Sequence, residues 1–250
     1  MAGPRNALRD MAACLGFYTR LPLPAFEMPA HGFANAQWAA PLTGLFIGAV
    51  CAAALTGVIM LGLPATIAAA IALVVSVLLT GGLHEDGLAD VADGFGGGST
   101  REKKLAIMKD SRIGSYGVVA LILSFLLRWS ALVALGLAAI PALLIAHTAS
   151  RALMPALMRL SPPARDNGLS AGAGRPSRGT VLVALAISGV LLLVPGPGFA
   201  VIAAPLLALA LFLIKWLAER QIGGQTGDVL GALQQLAETV LLIAAVAHFT

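Results

Sequence analysis

The chain has 250 residues, of which 58% are hydrophobic and only 11% charged, and its mean hydropathy is +0.89. So few charges cannot cover a water-soluble globule, so the composition excludes that class and predicts a polytopic membrane protein. The net charge of +4 is ordinary for basic cytoplasmic loops that face anionic membrane lipid, and it gives no reason to expect nucleic-acid binding.

The apolar segments predict the membrane topology. A helix needs roughly 20 apolar residues to cross a hydrocarbon core of about 30 Å, so the chain has room for about seven spans and for no separate soluble domain. We therefore predict an all-α transmembrane bundle that forms a single integral-membrane domain over residues 1–250. In chain order the predicted spans are Trp38–Leu61, Pro64–Thr80, Tyr116–Ala138, Pro141–Met158, Thr180–Val194, Phe199–Leu217 and Val229–Phe249.

Charge alternates between the loops that connect these spans. The linkers at 62–63, 139–140 and 195–198 carry no charge, whereas the basic residues outside the spans all lie in the other loops. Because basic loops tend to stay in the cytoplasm, we predict a cytoplasmic N-terminus and seven crossings. Segment 1–37 is then cytoplasmic or interfacial, and the loop 159–179, rich in Pro, Gly and Ser, is predicted to be a flexible cytoplasmic loop.

The loop 81–115 holds six of the twelve acidic residues and is the predicted catalytic loop. If 83–93 forms a helix, Asp86, Asp90 and Asp93 lie on one face at i, i+4 and i+7. Clustered carboxylates repel one another unless a cation binds among them, and oxygen ligands without a Cys or His cage favour Mg²⁺ or Mn²⁺ over zinc. Glu85 points about a quarter turn away, so we expect a peripheral charge there rather than a ligand.

A second polar group follows in the same loop. Asp110 adds a fourth carboxylate to the predicted metal ligands. Lys109 and Arg112 are predicted to bind a diphosphate, since cations neutralise the charge that builds up on a leaving phosphate. The predicted diphosphate-binding set also contains Ser111 and Lys104. For Lys103 and Lys104 the ordinary basic character of cytoplasmic loops is the stronger explanation.

A few ionisable residues stand apart from these groups. Asp228 follows a Gly-rich turn, and the sequence leaves open whether it completes the metal site, positions a nucleophile or caps a helix. His84 lies beside the acidic stripe and is a candidate either for the base or for a hydrogen-bond partner of the metal ligands. Arg128, Arg151 and Glu238 fall inside apolar spans, where ionisable side chains usually face the bundle interior, so we expect ion pairs among them.

Four blocks of this sequence occur in an order that is typical of one family. They are FYTRLP at Phe17–Pro22, GGLHEDGLADVADG at Gly81–Gly94, IMKDSRIG at Ile107–Gly114 and GGQTGDVLGA at Gly223–Ala232. On these motifs the chain resembles, over nearly its whole length, the adenosylcobinamide-GDP ribazoletransferases, also called cobalamin 5′-phosphate synthases. It departs from the family pattern at Glu85, where an apolar residue is expected, and in the glycine run after Asp93.

The resemblance implies a Mg²⁺-dependent, multi-pass enzyme of a prokaryotic inner membrane, with its site facing the cytoplasm. Such an enzyme joins adenosylcobinamide-GDP to α-ribazole or α-ribazole 5′-phosphate and releases GMP. The metal ligands that the resemblance implies are Asp86, Asp90 and Asp93, with Asp110 or Asp228. The implied diphosphate-binding residues are Lys109 and Arg112. The base is left open among His84, Asp93 and Asp228, and the oligomeric state is left open as well, a homo-oligomer included.

Two other classes use comparable features. CDP-alcohol phosphotransferases and prenyltransferases also place aspartate stripes and Mg²⁺ at a membrane surface, but their spacings fit worse, since Ala89 is followed here by Asp90 rather than Arg. Ion-coupled transporters place carboxylates near the bilayer midplane on interrupted helices. In this sequence most acidic residues lie at the predicted cytoplasmic edge, which favours the enzyme.

Overall fold

The computed structural model describes residues 4–23, 29–166 and 168–250. Over these ranges the chain is helical without a strand, which confirms the predicted all-α class. The helices are α1 Pro4–Tyr18, α2 Phe33–Ala36, α3 Ala40–Met60, α4 Ala65–Thr80, α5 Leu83–Gly97, α6 Arg101–Ile107, α7 Ser115–Leu135, α8 Ala139–Leu160, α9 Leu169–Ala173, α10 Arg178–Leu192, α11 Pro197–Ile222 and α12 Gly227–Phe249. A short 3-10 turn, Gln37–Ala39, joins α2 to α3.

Each of the seven predicted spans corresponds to one helix: α3, α4, α7, α8, α10, α11 and α12. By length and apolar character, the described residues contain four candidate spans, at Phe33–Met60, Ser115–Leu160, Pro197–Ile222 and Gly227–Phe249. A fifth is counted if α4 and α5, which meet at 90°, form one broken span. A membrane protein with several spans is therefore confirmed, whereas the number of seven crossings stays a prediction.

The bundle is built around α8, which packs against α3, α10 and α12 and is buried along most of its length. Helices α3 and α8 approach so closely that a side chain at Gly44 would overlap the carbonyl group of His147. One turn further, a Cβ atom at Gly48 would lie 2.7 Å from the carbonyl oxygen of Leu143. Small residues spaced four apart allow this contact between backbones, as in many transmembrane helix pairs.

The two ends of the bundle differ in polarity. At one end, the loops predicted to be charged meet: Arg20 donates its backbone N–H to the Leu79 carbonyl at 2.8 Å, and Pro163 forms a bridge with Gln225. At the other end, where the linkers are uncharged, the rings of Phe199 and Phe249 stack with centroids 6.2 Å apart. The loops thus gather by charge as the sequence pattern predicts, and the cytoplasmic assignment of the charged end stays a prediction.

Helix α5 is longer than predicted. The sequence predicts a helix over 83–93, but the helix continues to Gly97 and ends before the extended Gly98. The glycines inside it serve packing, since a Cβ atom at Gly94 would lie 2.5 Å from Met108 and one at Gly96 would lie 2.8 Å from the Tyr116 ring. The short basic helix α6 follows, with Thr100 as its N-cap.

Candidate active site

The position of α5 depends on two glycines. Gly81 and Gly82, with φ of +67° and +68°, both adopt the left-handed conformation that favours glycine. They turn the chain by 90° between α4 and α5, and α5 packs against α7 and α12. A Cβ atom at Gly87 would lie 2.8 Å from the carbonyl oxygen of Asp228. The backbones of α5 and α12 are therefore in direct contact at the start of α12.

This contact brings carboxylates from distant parts of the sequence together. Asp86 and Asp90 on α5 and Asp228 on α12 interact electrostatically. Burial, followed by the charges of Asp86, Asp228 and Asp93, raises the pKa of Asp90 from 3.8 to about 7, although Arg165 opposes the shift. The site thus concentrates negative charge in a half-buried place, which favours the binding of a cation.

The loop after α8 contributes a residue that sequence reasoning missed. Arg165 donates from Nη2 to Oδ2 of Asp228 at 2.9 Å, and the Thr226 hydroxyl donates to the same oxygen at 3.1 Å. The loop is tied to the start of α12 by two backbone hydrogen bonds of 2.8 Å, one from Ala164 to Gln225 and one from Gln225 to Pro162. No sequence signal relates Arg165 to Asp228, because the pair is 63 residues apart. The predicted flexibility of this loop stays a prediction.

Asp93 faces a different partner. Its Oδ2 accepts a hydrogen bond from the Gly114 N–H at 2.7 Å and its Oδ1 accepts one from the Gly117 N–H at 2.8 Å. The carboxylate therefore caps the N-terminus of α7, where the helix dipole favours negative charge. A side chain at Gly117 would overlap this carboxylate, so the two glycines and Asp93 form one unit. Its metal and base roles stay predictions, whereas the capping contacts are observed.

The connection between α6 and α7 carries the predicted diphosphate-binding residues. Arg112 forms a bidentate pair with Asp110, with a shortest distance of 2.7 Å, and its hydrogen bonds lower the pKa of Asp110 to about 2. Both side chains are exposed. Lys104 donates to Gln221 of α11. Asp110 is thus neutralised by its own neighbour, and its metal role stays a prediction. Lys109 and Ser111 lie exposed on the same connection.

The distances between the carboxylates limit the kind of metal site that they can form. Among the residues that the structure describes, no three His, Cys, Asp or Glu side chains converge closely enough to hold one ion. Mg²⁺, however, is commonly held by one or two carboxylates together with waters and substrate phosphates. Asp86 and Asp90 supply oxygen donors of this kind. The donor set therefore fits a cation that is shared with a bound diphosphate and does not fit a closed cage of aspartates.

His84 and Asp228 line the same small cavity next to this cluster. The His84 side chain is buried, and its Nε2 has no hydrogen-bond partner among the described residues. Burial, followed by the charge of Arg151, lowers the pKa of His84 well below its ordinary value. The imidazole is therefore neutral at neutral pH, which is the form that accepts a proton.

A buried ionic network lies beneath the site. Arg128 Nη1 on α7 is 3.3 Å from Glu85 Oε1 on α5 and 3.1 Å from Glu238 Oε1 on α12. His147 Nδ1 lies 3.0 Å from the other oxygen of Glu238, and Gln235 donates to Glu85 at 3.1 Å. The predicted ion pair between Arg128 and Glu238 is confirmed, whereas Arg151 donates to the backbone carbonyl of His147 at 3.1 Å. The prediction of a peripheral Glu85 is wrong, because the quarter-turn offset points this side chain into the bundle between α7 and α12.

Comparisons with known proteins agree with the arrangement of motifs. A family model described as cobalamin-5-phosphate synthase matches residues 10–246. A protein of Mesorhizobium japonicum named adenosylcobinamide-GDP ribazoletransferase is 51% identical over 98% of this chain and 95% of its own. A Bradyrhizobium diazoefficiens protein of the same name is also 51% identical, over 97% of this chain and 95% of its own. A third, from Azorhizobium caulinodans, is 48% identical over 94% of both chains. No solved structure matches.

Proposed function

This chain belongs to the cobalamin-5-phosphate synthase family, and from that premise we propose that it joins adenosylcobinamide-GDP to α-ribazole or α-ribazole 5′-phosphate and releases GMP. The observation that carries the proposal is that Asp86 and Asp228 line one cavity at the charged end of the bundle, with Asp90 close enough to feel both charges and Arg165 bonded to Asp228. A carboxylate cluster with an adjacent guanidinium suits a diphosphate substrate bound through a divalent cation.

The proposed reaction is a phosphoryl transfer. A ribose hydroxyl oxygen of α-ribazole forms a bond to the phosphorus on the cobinamide arm, and the bond from that phosphorus to the bridging oxygen breaks. GMP leaves with the bridging oxygen and the electron pair, while the hydroxyl proton passes to a base. His84 and Asp228 are the candidates that line the cavity beside the cluster, and Asp93 is the third.

The remaining residues bind and orient the substrate. Bound Mg²⁺ would neutralise negative charge on the diphosphate, and Asp86 and Asp90 would hold it. Arg165, paired with Asp228, would contact a phosphate oxygen. Lys109 and Arg112, with Ser111 and Lys104, remain the candidates for binding the diphosphate from the connection between α6 and α7. We place the site at the cytoplasmic face of the inner membrane, which the gathered basic loops support.

The decisive experiment is an assay of the purified chain in detergent. GMP release is measured with adenosylcobinamide-GDP and Mg²⁺, using α-ribazole in one series and its 5′-phosphate in another, with and without EDTA. We expect EDTA to stop turnover, and we expect Asp86→Asn and Asp90→Asn to abolish it without loss of the folded protein. Glu102→Gln, a matched change at an exposed acid on α6, should keep full activity. Turnover retained in either aspartate variant would remove the metal role.

A further inference from the structure

A cavity of about 180 Å³ opens beside the carboxylate cluster, between α1, the turn before α3, α5, α8 and α12. Its mostly apolar wall includes the rings of Phe17, Tyr18 and Phe33 and two methionine thioether groups. Phe17 and Phe33 contact each other with ring centroids 4.8 Å apart, and Met154 and Met158 line the cavity from α8. Such a wall favours a flat apolar ligand.

Two polar nitrogens in this wall lack a partner among the described residues. They are Nε2 of Gln37 and Nε2 of His84, whose residues are only 1% and 3% exposed. The Tyr18 hydroxyl donates to Oε1 of Gln37 at 2.6 Å, which fixes the amide so that its nitrogen remains available. A buried donor or acceptor without a partner costs about 1–3 kcal/mol, and such groups are rare in folded proteins unless a ligand or water completes them.

The size of the cavity limits the ligand. An apolar cavity of roughly 150 Å³ holds benzene in another protein, so this volume admits one or two fused rings and excludes a macrocycle such as the corrin. Guanine has the right size, but its carbonyl, amino and ring N–H groups would each need a partner in a mostly apolar wall. A benzimidazole nucleoside presents one free ring nitrogen, an acceptor, and is otherwise apolar.

We propose that this cavity binds the benzimidazole base of α-ribazole, with the Gln37 amide donating to the free ring nitrogen as the specificity-determining contact. The proposal rests on the proposed function for the identity of the nucleoside. Asp86 and Asp228 line the same cavity, so a base seated there places its ribose beside the carboxylates. His84 Nε2 then faces the sugar and accepts a hydrogen bond from one of its hydroxyl groups.

The test combines a variant with a substrate analogue. Binding of α-ribazole to the purified full-length protein is measured by calorimetry, and KM and kcat are measured for each substrate in turn. Gln37→Leu keeps the side-chain size. It removes the proposed hydrogen bond to the base together with the one that Gln37 accepts from Tyr18, and for the loss of the contact to the base we expect the Kd and KM for α-ribazole to rise about five- to tenfold. The KM for adenosylcobinamide-GDP and the kcat should stay within twofold of wild type.

The analogue isolates the contact. In the corresponding α-riboside of dimethylindole, a C–H group replaces the free ring nitrogen. It should bind wild type about five- to tenfold more weakly than α-ribazole does, whereas Gln37→Leu should bind both equally. Asn35→Ala is the matched control, since Asn35 lies two residues away and bonds to Ser177 instead of lining the cavity. Asn35→Ala should leave the affinities for α-ribazole and for the indole analogue unchanged. Ala173→Leu, which fills the cavity from α9, should weaken the binding of α-ribazole without changing the KM for adenosylcobinamide-GDP.

The outcomes separate the two proposals. If wild type binds α-ribazole with the expected Gln37 dependence but releases no GMP, the proposed function fails and the base site stands. If Gln37→Leu raises the KM for adenosylcobinamide-GDP instead, the cavity binds another group and this proposal is overturned. An unchanged Kd for α-ribazole in Gln37→Leu and in Ala173→Leu would overturn it as well.

Discussion

Asp93 offers the sharpest test of the site, because the sequence predicts a metal ligand and the structure shows a helix cap. Its two oxygens accept hydrogen bonds from Gly114 and Gly117 at 2.7 and 2.8 Å. In Asp93→Asn an amide nitrogen replaces one carboxylate oxygen. One hydrogen bond to a charged group is therefore lost, and the side-chain N–H group points at a backbone N–H group. Such a bond contributes about 1.5–3 kcal/mol, which corresponds to a decrease of roughly 3–12 °C in Tm for a chain of this size.

Two measurements on the same preparations decide between the roles. Thermal unfolding in detergent gives the Tm, and the Mg²⁺ concentration for half-maximal GMP release reports on the metal. A capping role predicts a lower Tm with an unchanged Mg²⁺ requirement. Gly117→Ala, which presses on the carboxylate, should lower the Tm too, whereas Gly97→Ala should not, because its Cβ would lie at an ordinary 3.6 Å from Ile107. The reasoning is refuted if Asp93→Asn keeps its Tm and requires more Mg²⁺.

Three further predictions concern packing, the buried charges and pH. Gly48→Ala should lower the Tm because its Cβ would lie 2.7 Å from a backbone oxygen of α8, and Gly57→Ala, with open space around it on the same helix, is the control that should not. Arg128→Gln should destabilise the fold by roughly 3–5 kcal/mol, because it leaves the buried Glu85 without its cation and leaves Glu238 with His147 alone. The exposed Arg112→Gln should leave the Tm unchanged, and equal Tm values for the two variants would contradict the network. The folded-state pKa of about 7 for Asp90 exceeds the ordinary 3.8, so the folded state binds more protons and the metal-free protein should gain stability as the pH falls from about 8 to 6. Asp90→Asn should not show this gain. A wild-type Tm that decreases as the pH is lowered over this range would contradict the raised pKa of Asp90.

Much of the fold could be predicted because the lipid environment leaves few alternatives. Long apolar runs with almost no charge form helices, since an unpaired backbone in hydrocarbon is too costly. The gathering of loops by charge followed from their composition in the same way. The glycines from 94 to 97 misled the prediction of the α5 boundary, because glycine weakens a helix in isolation but permits close packing against Met108 and Tyr116.

The site was predicted less completely, and the reason differs between residues. The positions of Asp86 and Asp90 on one helix follow from local spacing. The partners that complete the cluster do not, because Arg165 and Asp228 reach it through tertiary contacts. Glu85 was misplaced because the helical periodicity tells which side chains share a face but not which face is covered by α7 and α12. Nothing in the sequence singles out Gln37, because its proposed role depends on a side-chain nitrogen that the fold leaves without a hydrogen-bond partner in a cavity.

The network around Arg128 has a consequence for biogenesis. A guanidinium on an apolar helix enters a bilayer at considerable cost in free energy. The two acidic partners of Arg128 lie far apart in the sequence. Glu85 is synthesised before Arg128, and Glu238 is synthesised long after it. The earlier carboxylate can therefore neutralise the arginine while the last helix is still being synthesised. We therefore expect Glu85 to lower the cost of placing Arg128 in the membrane before Glu238 has been synthesised.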